Sequence, residues 1–253
     1  MRDLAAAVTF LTRLRLRSPV RGAADLAPAV PWFPVVGGLI GLAVGAVHVG
    51  AAALMPPLMA AAIAVMAGLL LTGALHEDGL ADTADGIGGG WSAEERLEIM
   101  RDPRHGTYGV LALIASVGVR TVALSFLGGW GAVAGLMAAH ALSRSATGVL
   151  LAAVPPATEE GLGAAYGRLV TGPRALAGAA AGGAIAAVAL GFLSVPAAGL
   201  AAVGAASVGL MALRALGGIT GDVLGAAQQV SEALILVMVT AFSWNGMLPI
   251  PWW

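Results

Sequence analysis

Apolar runs alternate with polar segments along almost the whole chain, and the runs are too long and unbroken for the half-buried helices of a soluble domain. Seven stand out: Phe33 to Leu54, Leu58 to Leu75, Tyr108 to Leu127, Gly131 to Val154, Ala175 to Ser194, Pro196 to Leu213 and Glu232 to Leu248. Most approach the roughly 20 residues that a helix needs to cross the hydrocarbon of a bilayer. Pro56 and Pro57, Gly128 and Gly129, and Pro196 separate successive pairs, as tight turns between antiparallel helices require. The pattern predicts an all-α fold, a polytopic membrane helical bundle of about seven transmembrane helices, forming a single integral-membrane domain over residues 1–253.

Between the runs, the segments at 1–32, 76–107, 155–174 and 214–231 hold every arginine except Arg120 and Arg144. Seven spans place all four segments on one side, which the excess of cationic residues in cytoplasmic loops makes the cytoplasmic one. The expected location is therefore a cytoplasmic (inner) membrane, with the 76–107 loop facing the cytoplasm. The Pro249 to Trp253 tail then falls on the far side, where Trp244, Trp252 and Trp253 suit an interfacial aromatic belt. At the other terminus, MRDLAAAVTFLTRLRLR has arginines after its apolar stretch and no small-residue cleavage site, so it does not read as a cleaved signal. Leu4, Val8, Leu11 and Leu14 oppose Arg13 and Arg17, which predicts an N-terminal helix anchored in the interface, with Arg15 snorkelling from its apolar side. Small residues between Ala175 and Ala187 allow close helix packing, and the lack of an internal repeat counts against a duplicated transporter.

Composition agrees: 58% of the residues are hydrophobic and 11% charged, and the mean hydropathy is +0.89, far from a soluble domain. A net charge of -1 without a basic, aromatic-interleaved patch argues against nucleic acid as a partner. Cysteine is absent, which excludes disulfides, thiolate metal sites and cysteine nucleophiles. All 13 basic residues are arginines, so lysine chemistry is excluded and guanidinium groups are the only fixed cations for phosphate.

The densest chemistry lies in HEDGLADTADGIGGG, His76 to Gly90, directly after an apolar run. On a helix, Asp78, Asp82 and Asp85 fall within about 60° of one another, since each residue turns the chain by roughly 100°. Three ionised carboxylates on one face repel unless a cation lies between them, and their oxygens suit Mg²⁺ or a similar hard ion. The alternative is a solvated acidic turn that ends a membrane helix. Further along, Ser92 and Glu95 read as a capping box opening a short helix to Met100, which Asp102-Pro103 stops. The loop DPRHGTYG then sets Arg101, Arg104 and His105 near two glycines, suited to phosphate or to lipid headgroups. Arg120 and Arg144 lie inside spans and must face the interior, paired with an acid or a substrate phosphate. His140, one turn before Arg144, reads as a hydrogen-bonded packing residue, and Glu159 and Glu160 as solvated loop charges. In GGITGDVLGAAQQVSE, Asp222, Gln229 and Glu232 project from one side of a helix. An acid there could complete a metal shell, hold an arginine, or cap the helix, as Thr220 also could.

These blocks resemble the cobalamin synthase family, the adenosylcobinamide-GDP ribazoletransferases. The resemblance rests on HEDGLADTADG (His76 to Gly86), LEIMRDPRHGTYGV (Leu97 to Val110), HALSRSA (His140 to Ala146), TGDVLGAAQQVSE (Thr220 to Glu232) and FLTRL (Phe10 to Leu14), in order along nearly the whole chain. Pro103 and His105 depart from it, standing where a smaller residue and an aliphatic one are expected. The resemblance implies a phosphotransferase in which α-ribazole, or its 5′-phosphate, attacks adenosylcobinamide-GDP through its ribose 3′-hydroxyl and GMP leaves, late in assembly of the cobalamin nucleotide loop. It implies Mg²⁺ as cofactor. On that basis Asp78, Asp82 and Asp85 are the expected metal ligands, with Glu77 a further ligand or proton acceptor. Arg101, Arg104 and Arg144 are expected to hold phosphate, and Asp222 to support the metal shell or orient an arginine. Membrane lipid is a further expected partner, and homo-oligomerisation stays open.

Two rivals follow from the same features. A CDP-alcohol-type membrane phosphotransferase also spaces aspartates on membrane helices, but carries an alanine-arginine pair shortly after its aspartate-glycine, where this chain has Asp82 and Thr83. An ion or proton transporter would spread its acids across the membrane, whereas these cluster at the end of one span.

Overall fold

The computed structural model describes residues 2–14, 16, 22–159, 165 and 169–248. Helix α1 is Arg2–Leu11. After a break, the short α2 (Ala23–Leu26) and a 3₁₀ turn (Ala27–Trp32) lead into α3 (Phe33–Ala52). There follow α4 (Pro57–Thr72), α5 (Leu75–Gly89), α6 (Ala93–Ile99), α7 (Thr107–Ser125), α8 (Gly129–Ala153), α9 (Gly172–Leu190), α10 (Ser194–Leu216) and α11 (Gly221–Trp244). No strand occurs among the described residues; one parallel bridge, Pro156 to Ile219, ties the end of α8 to the turn before α11.

Helix α8 is the axis of the bundle, touching α3, α9, α10 and α11, and it shares with α11 the most enclosed position. The α3–α8 contact is close because Gly37, Gly41 and Gly45 recur every fourth residue on one face of α3. Without a hydrophobic force to drive apolar helices together in lipid, such small-residue seams let backbones approach and gain dispersion contact. A Cβ at Gly41 would land on the Leu136 carbonyl of α8.

Five stretches are long and apolar enough to cross a membrane, or six if α4 and α5 form one span; the expected number was seven. The difference lies in 172–216, where two expected spans form one apolar stretch of 45 residues. Its turn is at Gly191 (φ 57°), not at Pro196, which sits in the first turn of α10, where its missing N–H costs nothing. Ser145 bonds the Gly178 carbonyl, whereas Gly209 meets Leu150 and Gly218 meets Pro155. Helix α10 thus runs parallel to α8, and the level of Ile185 with Ala141 beside Gly38 shows α9 antiparallel to it.

Two expectations need correction. The last span begins at Gly221, not Glu232, so the helix expected to carry Asp222, Gln229 and Glu232 is the first half of that span, α11; its glutamines are polar yet enclosed in the bundle. The N-terminal helix stops at Leu11, so Arg13 and Leu14 lie beyond it, and Ala6, Ala7 and Leu11 are buried against the 3₁₀ turn and α3. Arg13 donates its backbone N–H to the Leu71 carbonyl of α4 (2.8 Å). Arg15, Arg17, Glu160 and the 249–253 tail with Trp252 and Trp253 lie outside the described residues. Trp244 ends α11 exposed, edge-on to Phe126 at 5.8 Å.

Gly41→Ala should lower stability in detergent by about 1–3 kcal/mol, the usual cost of overpacking a close contact. Gly50→Ala, on the same helix with open space around it, should be neutral or stabilising. Thermal unfolding of both variants checks this, and equal behaviour would show that the seam is not tight.

Candidate functional site

At the end of α4 the chain takes left-handed conformations at Gly73 (φ 69°) and Ala74 (φ 57°), and α5 leaves at 91° to α4. The acidic block is thus a helix lying across the polar end of the bundle, not a solvated turn. Its four acids diverge. Glu77 points into the bundle and is buried, Asp78 is exposed, Asp82 is half-buried and Asp85 is buried on the side of the 102–109 loop.

Both oxygens of Asp85 accept backbone N–H groups, from Gly106 at 2.7 Å and Gly109 at 2.8 Å. Asp85 therefore caps the N-terminus of α7, where a negative charge meets otherwise unpaired donors. This folds the loop back over α5 and brings His105 Nδ1 to 3.7 Å from Asp82 Oδ1. In the same loop Arg104 forks onto Asp102, Nε to Oδ1 at 2.9 Å and Nη2 to Oδ2 at 2.6 Å. Hydrogen bonds from the Arg104 side chain and then its backbone pull the Asp102 carboxyl down to about 2. Arg101 is exposed beside it.

The N-terminus of α11 meets α5 from the other side. Thr220 caps α11, accepting from Val223 N at 3.3 Å, and its hydroxyl donates to Asp222 Oδ2 at 3.4 Å. A Cβ on Gly79 would stand 2.7 Å from the Asp222 carbonyl oxygen, so the two helices cross at a contact only glycine allows. That crossing sets Asp222 near Asp78 and Asp82. Burial first, then the charges of Asp78 and Asp222, push the Asp82 carboxyl up from 3.8 to about 6, with His105 opposing them. A cavity of about 210 Å³ opens at the same place; its polar lining is His76, Asp78, Arg144, Thr147 and Asp222, and Phe10 and Phe33 lie among its apolar walls.

Beneath the site is a buried polar network. Arg120 of α7 pairs ionically with Glu77 (3.0 Å) and donates a hydrogen bond to Glu232 of α11 (3.1 Å). Glu232 also lies 3.1 Å from His140 Nδ1 and 4.0 Å from Arg144, both on α8, and accepts from Gln228 at 2.6 Å. Gln229 donates to Glu77 (3.1 Å) and accepts from Ser116 (2.9 Å). Two arginines balance two glutamates, so four helices are joined through low dielectric by groups none of which is affordable alone.

The sequence model of the family described as cobalamin-5-phosphate synthase matches residues 3–240. The chain belongs to this family. A relative from Bradyrhizobium diazoefficiens is 42% identical over 250 residues, covering 95% of this chain and 94% of its own, and is named adenosylcobinamide-GDP ribazoletransferase. Relatives of the same name from Azorhizobium caulinodans and Ralstonia nicotianae are 43% and 39% identical, covering 95% and 96% of this chain and 96% of their own chains in both cases. No solved structure matches.

In this chain Asp78 and Asp222 line one cavity with Arg144, and Asp82 lies close enough to both acids to feel their charge. Glu77 does not join them, because one residue's turn of the helix aims it at Arg120. Asp85 holds the loop, and Arg101 and Arg104 stand on the exposed loop surface. Sequence reasoning paired neither Arg120 with Glu77 and Glu232 nor Phe10 with Phe33. The only signal for the aromatic pair was Phe10 at the head of the FLTRL block. For a divalent cation, the converging donors are all carboxylate oxygens, crowded enough to raise Asp82, and so fit a hard ion in kind. Among the described residues, no three His, Asp or Glu side chains stand in a finished metal-binding group.

Arg120→Gln should destabilise the protein by about 3 kcal/mol or more, because it strands two buried carboxylates; unfolding in detergent measures it, and a loss under 1 kcal/mol, roughly that of an exposed pair, would refute the pairing. A carboxyl whose folded-state pKa exceeds its unfolded value binds its proton more tightly when folded. Asp82 should therefore make the metal-free protein less stable as pH rises from 3.8 through about 6. Asp82→Asn should flatten that part of the pH–stability curve, and an unchanged slope would reject the shift.

Proposed function

We propose that the chain is an adenosylcobinamide-GDP ribazoletransferase that joins a ribazole, free or as its 5′-phosphate, to adenosylcobinamide-GDP with release of GMP. The observation that carries the reading is the match to relatives of that name over about 95% of the chain, with the resemblance-bearing acids converging at one crossing of α5 and α11. The ribose 3′-hydroxyl forms a bond to the cobinamide-linked phosphorus, the bond to the bridging oxygen breaks, and GMP departs with that oxygen. Asp78 stands exposed at the cavity wall, so on this reading the site opens to solvent, which takes the hydroxyl proton. Arg144 and Thr147 on that wall offer donors to phosphate oxygens. Arg101 and Arg104 receive the pyrophosphate at the loop surface, Arg104 exchanging Asp102 for it. Asp85 keeps the loop over the site.

A Mg²⁺ ion, when bound, supplies charge neutralisation for the pyrophosphate, and Asp78, Asp82 and Asp222 are the residues that would hold it. The arginine-rich end of the bundle supports an inner-membrane location with the site on the cytoplasmic side.

Purified protein in detergent should release GMP only when both substrates are present, should stop on chelation and should recover with Mg²⁺. Asp82→Asn should cost about 100-fold or more in turnover with the fold intact, the scale of one electrostatic element in phosphoryl transfer. Arg104→Lys, which keeps the charge and loses the fork, should raise KM for adenosylcobinamide-GDP and leave that for the ribazole unchanged. Normal turnover of Asp82→Asn in saturating Mg²⁺ would remove it from the site.

A further inference from the structure

The lining of the cavity at the carboxylate crossing is of two kinds. One is polar, with Asp78, Asp222 and Arg144, whose Nε is buried without a hydrogen-bond partner. The other is apolar and includes Phe10 of α1 and Phe33 at the start of α3, whose rings stack with centroids 5.6 Å apart and planes at 17°. Phe33 is 6% exposed and packed in the core, while Phe10 is half-buried and held by α1. Helix α1 is fixed there by the Arg13 bond to Leu71, so the aromatic lining is built by docking α1 onto the bend between α4 and α5. Gly221 also lines the cavity, and a Cβ there would meet nothing within 4 Å, so this position leaves space beside Asp222.

On the transferase reading, we infer that this cavity is the acceptor subsite, and that Phe10 and Phe33 select the ribazole by packing its fused aromatic base while the ribose faces the carboxylates. The scale of the cavity separates the two substrates: a ribosyl benzimidazole is of that order, whereas a corrinoid carrying a nucleotide is several times larger. The chemistry agrees with the scale. A flat, nearly uncharged ring gains from aromatic side chains and apolar walls, and a ribose hydroxyl gains from carboxylates. The base is thereby oriented with its sugar toward the reacting phosphorus, by residues that take no part in bond making.

The test is a pair of steady-state titrations on the full-length protein. Phe10→Leu and Phe33→Leu should each raise KM for α-ribazole about tenfold, the scale of losing one aromatic platform beneath a base. KM for adenosylcobinamide-GDP should stay unchanged and kcat at saturation should stay within about threefold. Phe10→Tyr, which keeps the ring, should restore the wild-type KM. A methyl riboside, which carries the hydroxyl but no base, should be used equally poorly by wild type and both leucine variants. If Phe33→Leu does not fold, Phe10→Leu at the half-buried position decides. Unchanged KM for α-ribazole, or a rise in KM for adenosylcobinamide-GDP instead, overturns the inference while GMP release by the wild type stands. Absence of GMP release by the wild type overturns the transferase reading itself.

Discussion

Everything at the polar end of this bundle depends on Arg120 lying between Glu77 and Glu232. A lone charge among apolar helices is costly, and the alternatives to pairing are displacement of the helix or penetration of water. Pairing fixes the rotation of α5 about its own axis, because Glu77 must face α7 and α11. With Glu77 fixed, the next residues have no choice of direction: Asp78 turns toward the cavity, and Asp82 and Asp85 follow along the flank. His140, Arg144, Gln228 and Gln229 extend the constraint to α8 and the middle of α11. Ionic pairing within the interior thus sets the angular register of the carboxylates outside it.

The glycines complete that arrangement where charge cannot. Helices α5 and α11 come close enough for Asp222 to meet Asp78 and Asp82 only because Gly79 and Gly225 lack side chains at the crossing. A larger residue at either place would hold the two acid-bearing helices apart, and the carboxylates would lose their mutual influence. Fold and site are therefore the same set of contacts seen from two sides.

Much of this was legible in the sequence because it is local. Hydropathy located most spans, 3.6-residue periodicity placed Asp78, Asp82 and Asp85 on one flank, and the Ser92–Glu95 spacing opened α6, with Ser92 accepting from Glu95 N. What failed was nonlocal. Asp85 looks like its neighbours until Gly106 and Gly109 fold back onto it, a contact no spacing within α5 announces. The start of α11 was legible in Thr220, which does accept from Val223 N, but the membrane span was expected only from Glu232 because Gln228, Gln229 and Glu232 are polar, and only partners on three other helices make their burial tolerable. The amphipathic pattern of α1 suggested a lipid surface as its apolar counterpart, when that counterpart is the bundle itself. Periodicity reports that a face is apolar, not what covers it.

The order of the network along the chain bears on how the protein is built into a membrane. Glu77 precedes Arg120, and Glu232 follows it by 112 residues. During synthesis the guanidinium of α7 therefore emerges with one counter-ion already made, on α5, and need not wait for α11 to be translated. His140 and Arg144 come next, and Glu232 arrives only with the final span, where it meets a second arginine that until then has lacked its acid. The carboxylate that completes the interior, Glu232, and the one that stands at the crossing with α5, Asp222, are delivered on the same helix. A chain that stops short of α11 lacks both the acid that pairs with Arg144 and the Asp222 that meets α5 at the crossing.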